Sequence, residues 1–199
     1  MFYDAVANAH GLPRDPFKAL VAPRPIGWIS SRSQSGTINL APYSYFNAVA
    51  DRPHIVMFSS GGRKDSVANV EETGEFVCNL ATFDLREQMN RSSASVARGI
   101  SEFELAGLTP VPGTLVKAPR VKEARVALEC IYTETFRPKD KDGKQTNNFV
   151  VFGQVVGIHI DDDCLVDGFV SLERLKPLSR LGYMEYSAVT DVFSMQRPE

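Results

Sequence analysis

The chain has 199 residues, 43% of them hydrophobic and 23% charged, and its 22 Lys and Arg against 24 Asp and Glu leave a formal net charge of −2. That is enough apolar material to bury a core without disulfide or metal staples, and there is no basic block of the kind that grips a nucleic-acid backbone. No apolar run approaches bilayer-spanning length; three cysteines without a CxxC pair and three histidines without ligand spacing support neither a redox dithiol nor a metal site.

Residues 1–16 read as a lead-in segment to a single domain over residues 1–199, with a short helix expected at residues 3–10. The N-terminus lacks the cationic start and long apolar core of a secretory signal, so a cytoplasmic location is the expectation. Pro23 and Pro25 introduce a strand over residues 26–31, and Gln34, Ser35 and Gly36 turn the chain back as a hairpin. Residues 42–47 form a polar, aromatic loop carrying hydroxyls, an amide and three aromatic rings. The apolar run 54–58 reads as a short buried strand. It stops at Ser59-Ser60-Gly61-Gly62 and passes into Arg63-Lys64-Asp65-Ser66, which reads as a helix start. Asp65 or Ser66 is placed to cap that helix, Val67 and Val70 give it an apolar face, and Gly74 ends it.

A strand follows over residues 75–80. A second helix is expected near Asp84, where Asp84 and Glu87 have capping-box spacing and Leu85 and Met89 share a face. Residues 92–119 are irregular and rich in Ser, Gly and Pro, which for so long a connection favours a functional or interface loop. Residues 125–136 alternate cleanly and predict a strand with Val126, Leu128, Cys130, Tyr132 and Phe136 on its buried side. A polar turn at residues 138–144 leads into a long strand over 148–160, apolar on both faces and interrupted by Gly153 and Gly157, residues that mark bends or close approaches. On a regular strand His159 shares a face with Gly153, Val155 and Gly157. A short helix or turn over 170–175 and one or two strands within 182–195 complete the chain. Many short strands and few helices argue for a barrel or sandwich.

The segment from Ser59 to Ser66 is the most informative. A strand feeding a small-residue turn, two cations and a helix start brings together free backbone N–H groups, the positive end of a helix dipole and two cationic side chains, which is how a phosphate is held. Gly-Gly is also an ordinary turn, and Arg-Lys before a helix is often only solvated surface. The spacing is neither a Walker A loop nor a dinucleotide fingerprint. The rings and amides of residues 42–47 suit a flat heteroaromatic group attached to that phosphate.

The motifs PRPIGWISS (23–31), NLAPYSYFNAV (39–49), GGRKDS (61–66), TGEFVCNLA (73–81), GQVVGIHID (153–161) and PLSRLGYMEY (177–186) together resemble the flavin reductase-like proteins with an FMN-binding split barrel, flavoredoxin-like members included. The resemblance covers most of the chain in the same order. It implies a mainly β fold, a six-stranded Greek-key split β-barrel with peripheral helices, and a homodimer with FMN near its interface. It implies FMN lying along Ser44, Tyr45, Phe46 and Asn47, its phosphate held by Ser59, Ser60, Arg63, Lys64 and Ser66, with Asp65 orienting a cation or capping the helix. Trp28, Ser30 and Ser31 fall in the first family motif and are on that ground placed along the ring, although a lone Trp in a strand is more often core. Arg180, Tyr183 and Tyr186 match a late segment that reaches the flavin or closes the barrel.

Electrons would pass from NAD(P)H through FMN to a flavin, a partner oxygenase or another acceptor. His159 is the candidate proton donor or nicotinamide partner, the other reading being a strand or interface histidine. The Gly-Asp-His segment that accompanies nicotinamide use in the two-component reductases is missing, which leaves a flavin-binding electron carrier as the alternative.

Overall fold

The computed structural model describes residues 1–97 and 99–198; Arg98, in the irregular stretch 92–119, and Glu199, at the end of the domain expected over 1–199, lie outside the described residues. At its centre is an antiparallel sheet of β1 (Gly27–Arg32), β2 (Ile38–Tyr43), β3 (Phe46–Asp51), β4 (His54–Gly61), β5 (Glu75–Leu80), β6 (Val126–Phe136) and β7 (Asn148–Ile160). Their spatial order is β2-β1-β5-β6-β7-β4-β3. The two edge strands are consecutive in the chain, joined only by Ser44 and Tyr45. Because neighbouring strands lie about 4.8 Å apart, so short a link cannot cross a flat sheet of this width, and the sheet curls until its edges meet. Taken as one strand bent at Ser44–Tyr45, β2 and β3 give the six-stranded split barrel that the motifs imply. The loop expected over residues 42–47 shrinks to that bend, because Phe46 and Asn47 pair with Phe58 and Met57 of β4.

Strand β1 is buried on both faces, and this sets the core in two layers. Ile29 points into the barrel with Tyr43, Phe58, Phe76 and Val151, while Trp28 points outward under the helices with Leu40, Met89 and Phe103. Cys78 and Cys130 pack inside the barrel as small hydrophobes. Burial, and then the neighbouring Cys130, pushes the Cys78 thiol well above its ordinary range. The helices are short: α1 (Phe17–Leu20), α2 (Asp65–Thr73), α3 (Arg86–Arg91), α4 (Glu102–Ala106) and α5 (Leu172–Leu175). Gly74 ends α2 in the left-handed conformation that the sequence reading requires of it.

Other local expectations give way to tertiary context. Residues 5–8 form turns and no helix. The Asp84–Glu87 capping box does not form, because a 3-10 turn (Phe83–Leu85) precedes α3 and places Leu85 at its N-cap. The late strand is confined to β9 (Tyr186–Ala188), which pairs with β8 (Leu178–Arg180); β8 in turn pairs with Arg24–Pro25.

Strand β7 carries a bulge: Val155 pairs with Cys130 and Gly157 with Glu129, leaving Val156 as the extra residue. The bulge moves every later side chain to the opposite face. Gly153 and Val155 face the barrel core, whereas Gly157 and His159 face outward beside Glu129 and Ala127. The shared face expected for His159, Gly153 and Val155 is therefore broken. At Gly153 a Cβ would stand 2.4 Å from the Phe76 ring. Gly153→Ala is expected to cost about 1–3 kcal/mol by overpacking, read as a lower urea midpoint at unchanged slope.

Candidate functional site

The end of β2, the Ser44–Tyr45 bend, the turn from β4 into α2 and the segment after α3 meet at one end of the barrel. Between them lies a cleft of about 320 Å³ whose walls include Asn39, Tyr43, Lys64, Ser66 and Ser95. An adjoining cavity of about 270 Å³ is bounded by Lys18, Arg24, Ser44, Arg180, Tyr183 and Tyr186. Pro42 and Ser93 line both, so the two lie side by side. The larger space is within the range of about 300–1,000 Å³ that small-molecule sites occupy.

Helix α2 opens onto the first cleft. Lys64 is its N-cap residue, extended in conformation, with no side-chain cap, and Asp65 and Ser66 are the first helical residues instead of the caps expected of them. The first-turn N–H groups have no carbonyl partner within the helix, and the dipole adds positive potential there. Beneath them is a hydroxyl and amide network. Asn39 Nδ2 donates to Ser66 Oγ at 2.9 Å, and the Tyr43 hydroxyl bonds with Ser66 and Ser60. Burial raises the Tyr43 phenol above its ordinary range, outweighing those two hydroxyls. Ser60 Oγ donates to the Gly62 carbonyl at 2.8 Å, which fixes the turn.

The charges of the cleft are mixed. Lys64 reaches it, but Arg63 is held back along α2 by Glu71, with a 2.9 Å contact. Glu102, also in the wall, accepts from the Leu40 backbone N–H at 3.1 Å. Its carboxyl is raised, first by burial and further by the negative charge of Asp65, against backbone hydrogen bonds that lower it.

Of the residues expected along the ring, Ser44 lines the cavity, Tyr45 accepts a backbone hydrogen bond from Ser59 at 2.8 Å, and Phe46 packs its ring on Gly27. Asn47 is exposed on β3, and its Oδ1 accepts from the Ala48 N–H. Ser59 Oγ accepts from Asn148 Nδ2 at 3.2 Å. Trp28, Ser30 and Ser31 have no exposed surface. The Trp28 indole donates to Ser92 Oγ at 2.8 Å, Ser30 binds the Pro119 carbonyl, and Ser31 accepts from Asn69. These three brace the site from behind. Arg180, Tyr183 and Tyr186 do come together in the second cavity, with the Arg180 guanidinium 4.3 Å from the Tyr186 ring centroid.

His159 is elsewhere. Its Nε2 lies 2.5 Å from Glu129 Oε1, a carboxylate with no exposed surface that also accepts the N–H groups of Thr114, Leu115 and Val116. Burial alone would raise Glu129, yet the His159 hydrogen bond and the three backbone donors together hold it below the usual carboxylate range. The strand alternation that puts Glu129 opposite the barrel core left it as a solvent-facing acid; the loop that covers it is distant in sequence. Asn39, Tyr43 and Glu102 of the first cleft, and Lys18 and Arg24 of the adjoining cavity, have no assigned role in the sequence reading. Arg24, Asn39 and Tyr43 stand inside the quoted motifs, which is the available signal.

A model described as the flavin reductase like domain matches residues 20–174. An uncharacterized protein of Aquifex aeolicus (strain VF5) is 39% identical over 173 residues, 84% of this chain and 85% of that protein. The crystal structure of nitrilotriacetate monooxygenase component B from Bacillus cereus superposes with a TM-score of 0.84 at 32% identity, covering 94% of this chain and 95% of that one. Pseudomonas fluorescens 2-nitrobenzoate 2-nitroreductase NbaA follows at a TM-score of 0.80 and 28% identity, covering 92% and 88%.

Proposed function

The chain belongs to the flavin reductase-like family, and from that premise we propose that it is an FMN-dependent oxidoreductase moving electrons from NAD(P)H to a free flavin, a partner oxygenase or another acceptor. The observation that carries the reading is the start of α2, which has no side-chain cap, with Lys64 and the Ser60–Tyr43–Ser66 hydroxyls at one cleft and two tyrosines at the cavity beside it. The donor set fits a phosphate attached to a flat ring. Lys64, Ser66 and the first-turn amides of α2 would hold the phosphate. Ser44 and Tyr45 would bound the ring, with Tyr183 and Tyr186 where its edge meets the second cavity, while Phe46 and Gly27 fix the bend. FMN, when bound, supplies the redox chemistry; the protein supplies position, exclusion of water and charge.

A homodimer with the site near its interface belongs to the same proposal, as does a partner oxygenase, supported by the monooxygenase component named above. Among the described residues no helix is long and apolar enough to cross a membrane.

The geometry at His159 favours the carrier as the second reading. That histidine is engaged by Glu129 and borders neither cavity. Anaerobic mixing with NADPH or NADH separates the two. A reductase bleaches its flavin within seconds, and since His159 borders neither cavity, His159→Ala is expected to leave that rate and FMN binding unchanged. A slowed rate would return His159 to the mechanism, and flavin that stays oxidised in the wild type would support the carrier.

A further inference from the structure

We infer that the cavity walled by Lys18, Arg24 and Arg180 is an oxyanion subsite for a second, acidic substrate, one bearing a carboxylate or a phosphate ester on an apolar or aromatic body. The inference rests on the flavin reading above and extends it to the molecule that exchanges electrons with the flavin.

Arg24 carries the argument. It is 6% exposed, and its guanidinium donates to backbone carbonyls: Nη1 to those of Lys18 and Val21, Nη2 to that of Leu181 at 2.8 Å. Its Nε is buried without a hydrogen-bond partner, and among the described residues no carboxylate forms an ion pair with it. Carbonyl dipoles orient such a cation but leave its full charge in place, and a buried charge without a counter-charge is costly. An anion in the adjoining cavity offsets that cost.

The rest of the wall agrees. Lys18 and Arg180 bound the same space, and among the described residues no Asp or Glu lines it although acids outnumber bases in the chain. Glu185, the acid of the neighbouring turn, is not among the residues that bound it. The adjacent cleft, by contrast, carries Asp65 and Glu102 beside its lysine. Arg180 is pinned by its own turn: Nη2 donates to the Tyr183 carbonyl at 2.5 Å, and Tyr183 adopts φ 53°, a left-handed conformation unusual outside glycine that is found at ligand clamps. Ile26, Met89 and the rings of Tyr183 and Tyr186 add an apolar and aromatic part to the wall, beside the hydroxyls of Ser44 and Ser93. FMN has one phosphate, and the start of α2 accounts for it; the second concentration of positive charge is left for a second ligand.

The test is calorimetric titration of the full-length protein, with and without FMN, using benzoate, its neutral isostere benzamide, and inorganic phosphate. Wild type is expected to bind benzoate or phosphate and to ignore benzamide. Lys18→Gln is expected to weaken the anion about tenfold, and Lys18→Glu further, from the loss of one charge-assisted contact. Both variants should take up FMN as wild type does. Benzoate alone assigns the subsite to carboxylic acids, phosphate alone to phosphate esters. Equal binding of benzamide, no anion binding, or no response to Lys18→Glu overturns the inference. Displacement of FMN by either anion also overturns it, because the cluster would then hold the cofactor's own phosphate. If the wild type takes up no FMN, the flavin reading fails, while anion binding to the FMN-free chain still decides the subsite.

Discussion

Replacing Lys64 by alanine is expected to weaken FMN binding by about tenfold or more while leaving riboflavin, which has no phosphate, nearly unchanged. Among the described residues, Lys64 is the one cation that lines the first cleft, at the start of α2. A hydrogen bond to a charged group contributes about 1.5–3 kcal/mol, and about 1.4 kcal/mol is a factor of ten in affinity. Arg63→Ala is expected to change either ligand by less than about threefold, since Arg63 is half exposed and already paired with Glu71. The sequence alone treats the two cations alike; the structure separates them. Equal loss of FMN and riboflavin in Lys64→Ala would move the phosphate away from α2.

Glu129→Ala is expected to destabilise the protein strongly although the residue lies outside the barrel core. One carboxylate holds three backbone N–H groups of the loop over residues 114–116 together with His159. Removing it strands those donors beneath the loop, and a buried donor left unpaired costs about 1–3 kcal/mol. A net loss of about 3 kcal/mol lowers Tm by about 6–12 °C in a chain of this size. Glu129→Gln, which keeps an acceptor oxygen, should lose less.

The pH dependence follows from the lowered carboxyl. Its stabilisation is complete above the unfolded carboxyl value of about 4.3 and is lost as pH falls through the lower folded value. Glu129→Gln should therefore show a shallower acid limb than wild type. Matching acid limbs, or a Tm for Glu129→Ala within about 1 °C of wild type, would show that the carboxylate does not anchor the loop.

What the sequence revealed follows from the range over which each signal acts. The turn from β4 into α2, the helix and its glycine stop are local, and they lie within a residue or so of expectation. Alternation along β6, whose period is set by the pleat, places Leu128, Cys130 and Tyr132 toward the barrel, but an extra residue at Thr133 turns Phe136 outward, where it is exposed, and Ala127 and Glu129 of the opposite face are buried as well. His159 was misplaced because a bulge at Val156 leaves no mark on a strand already apolar on both faces. Trp28, Ser30 and Ser31 belong to the motif that borders the site, yet whether such a residue faces a ligand or braces it from behind depends on α3 and the segment beyond it, far along the chain. Glu129 and Arg24 were passed over for the same reason: their partners are backbone groups of other segments, which residue identity does not encode.

The most direct measurement is the visible spectrum of the purified full-length protein, before and after added FMN and then anaerobic NADPH or NADH. The predicted result is stoichiometric uptake of FMN and bleaching by the nicotinamide within seconds. A protein that remains colourless and leaves added FMN free in solution would contradict the account.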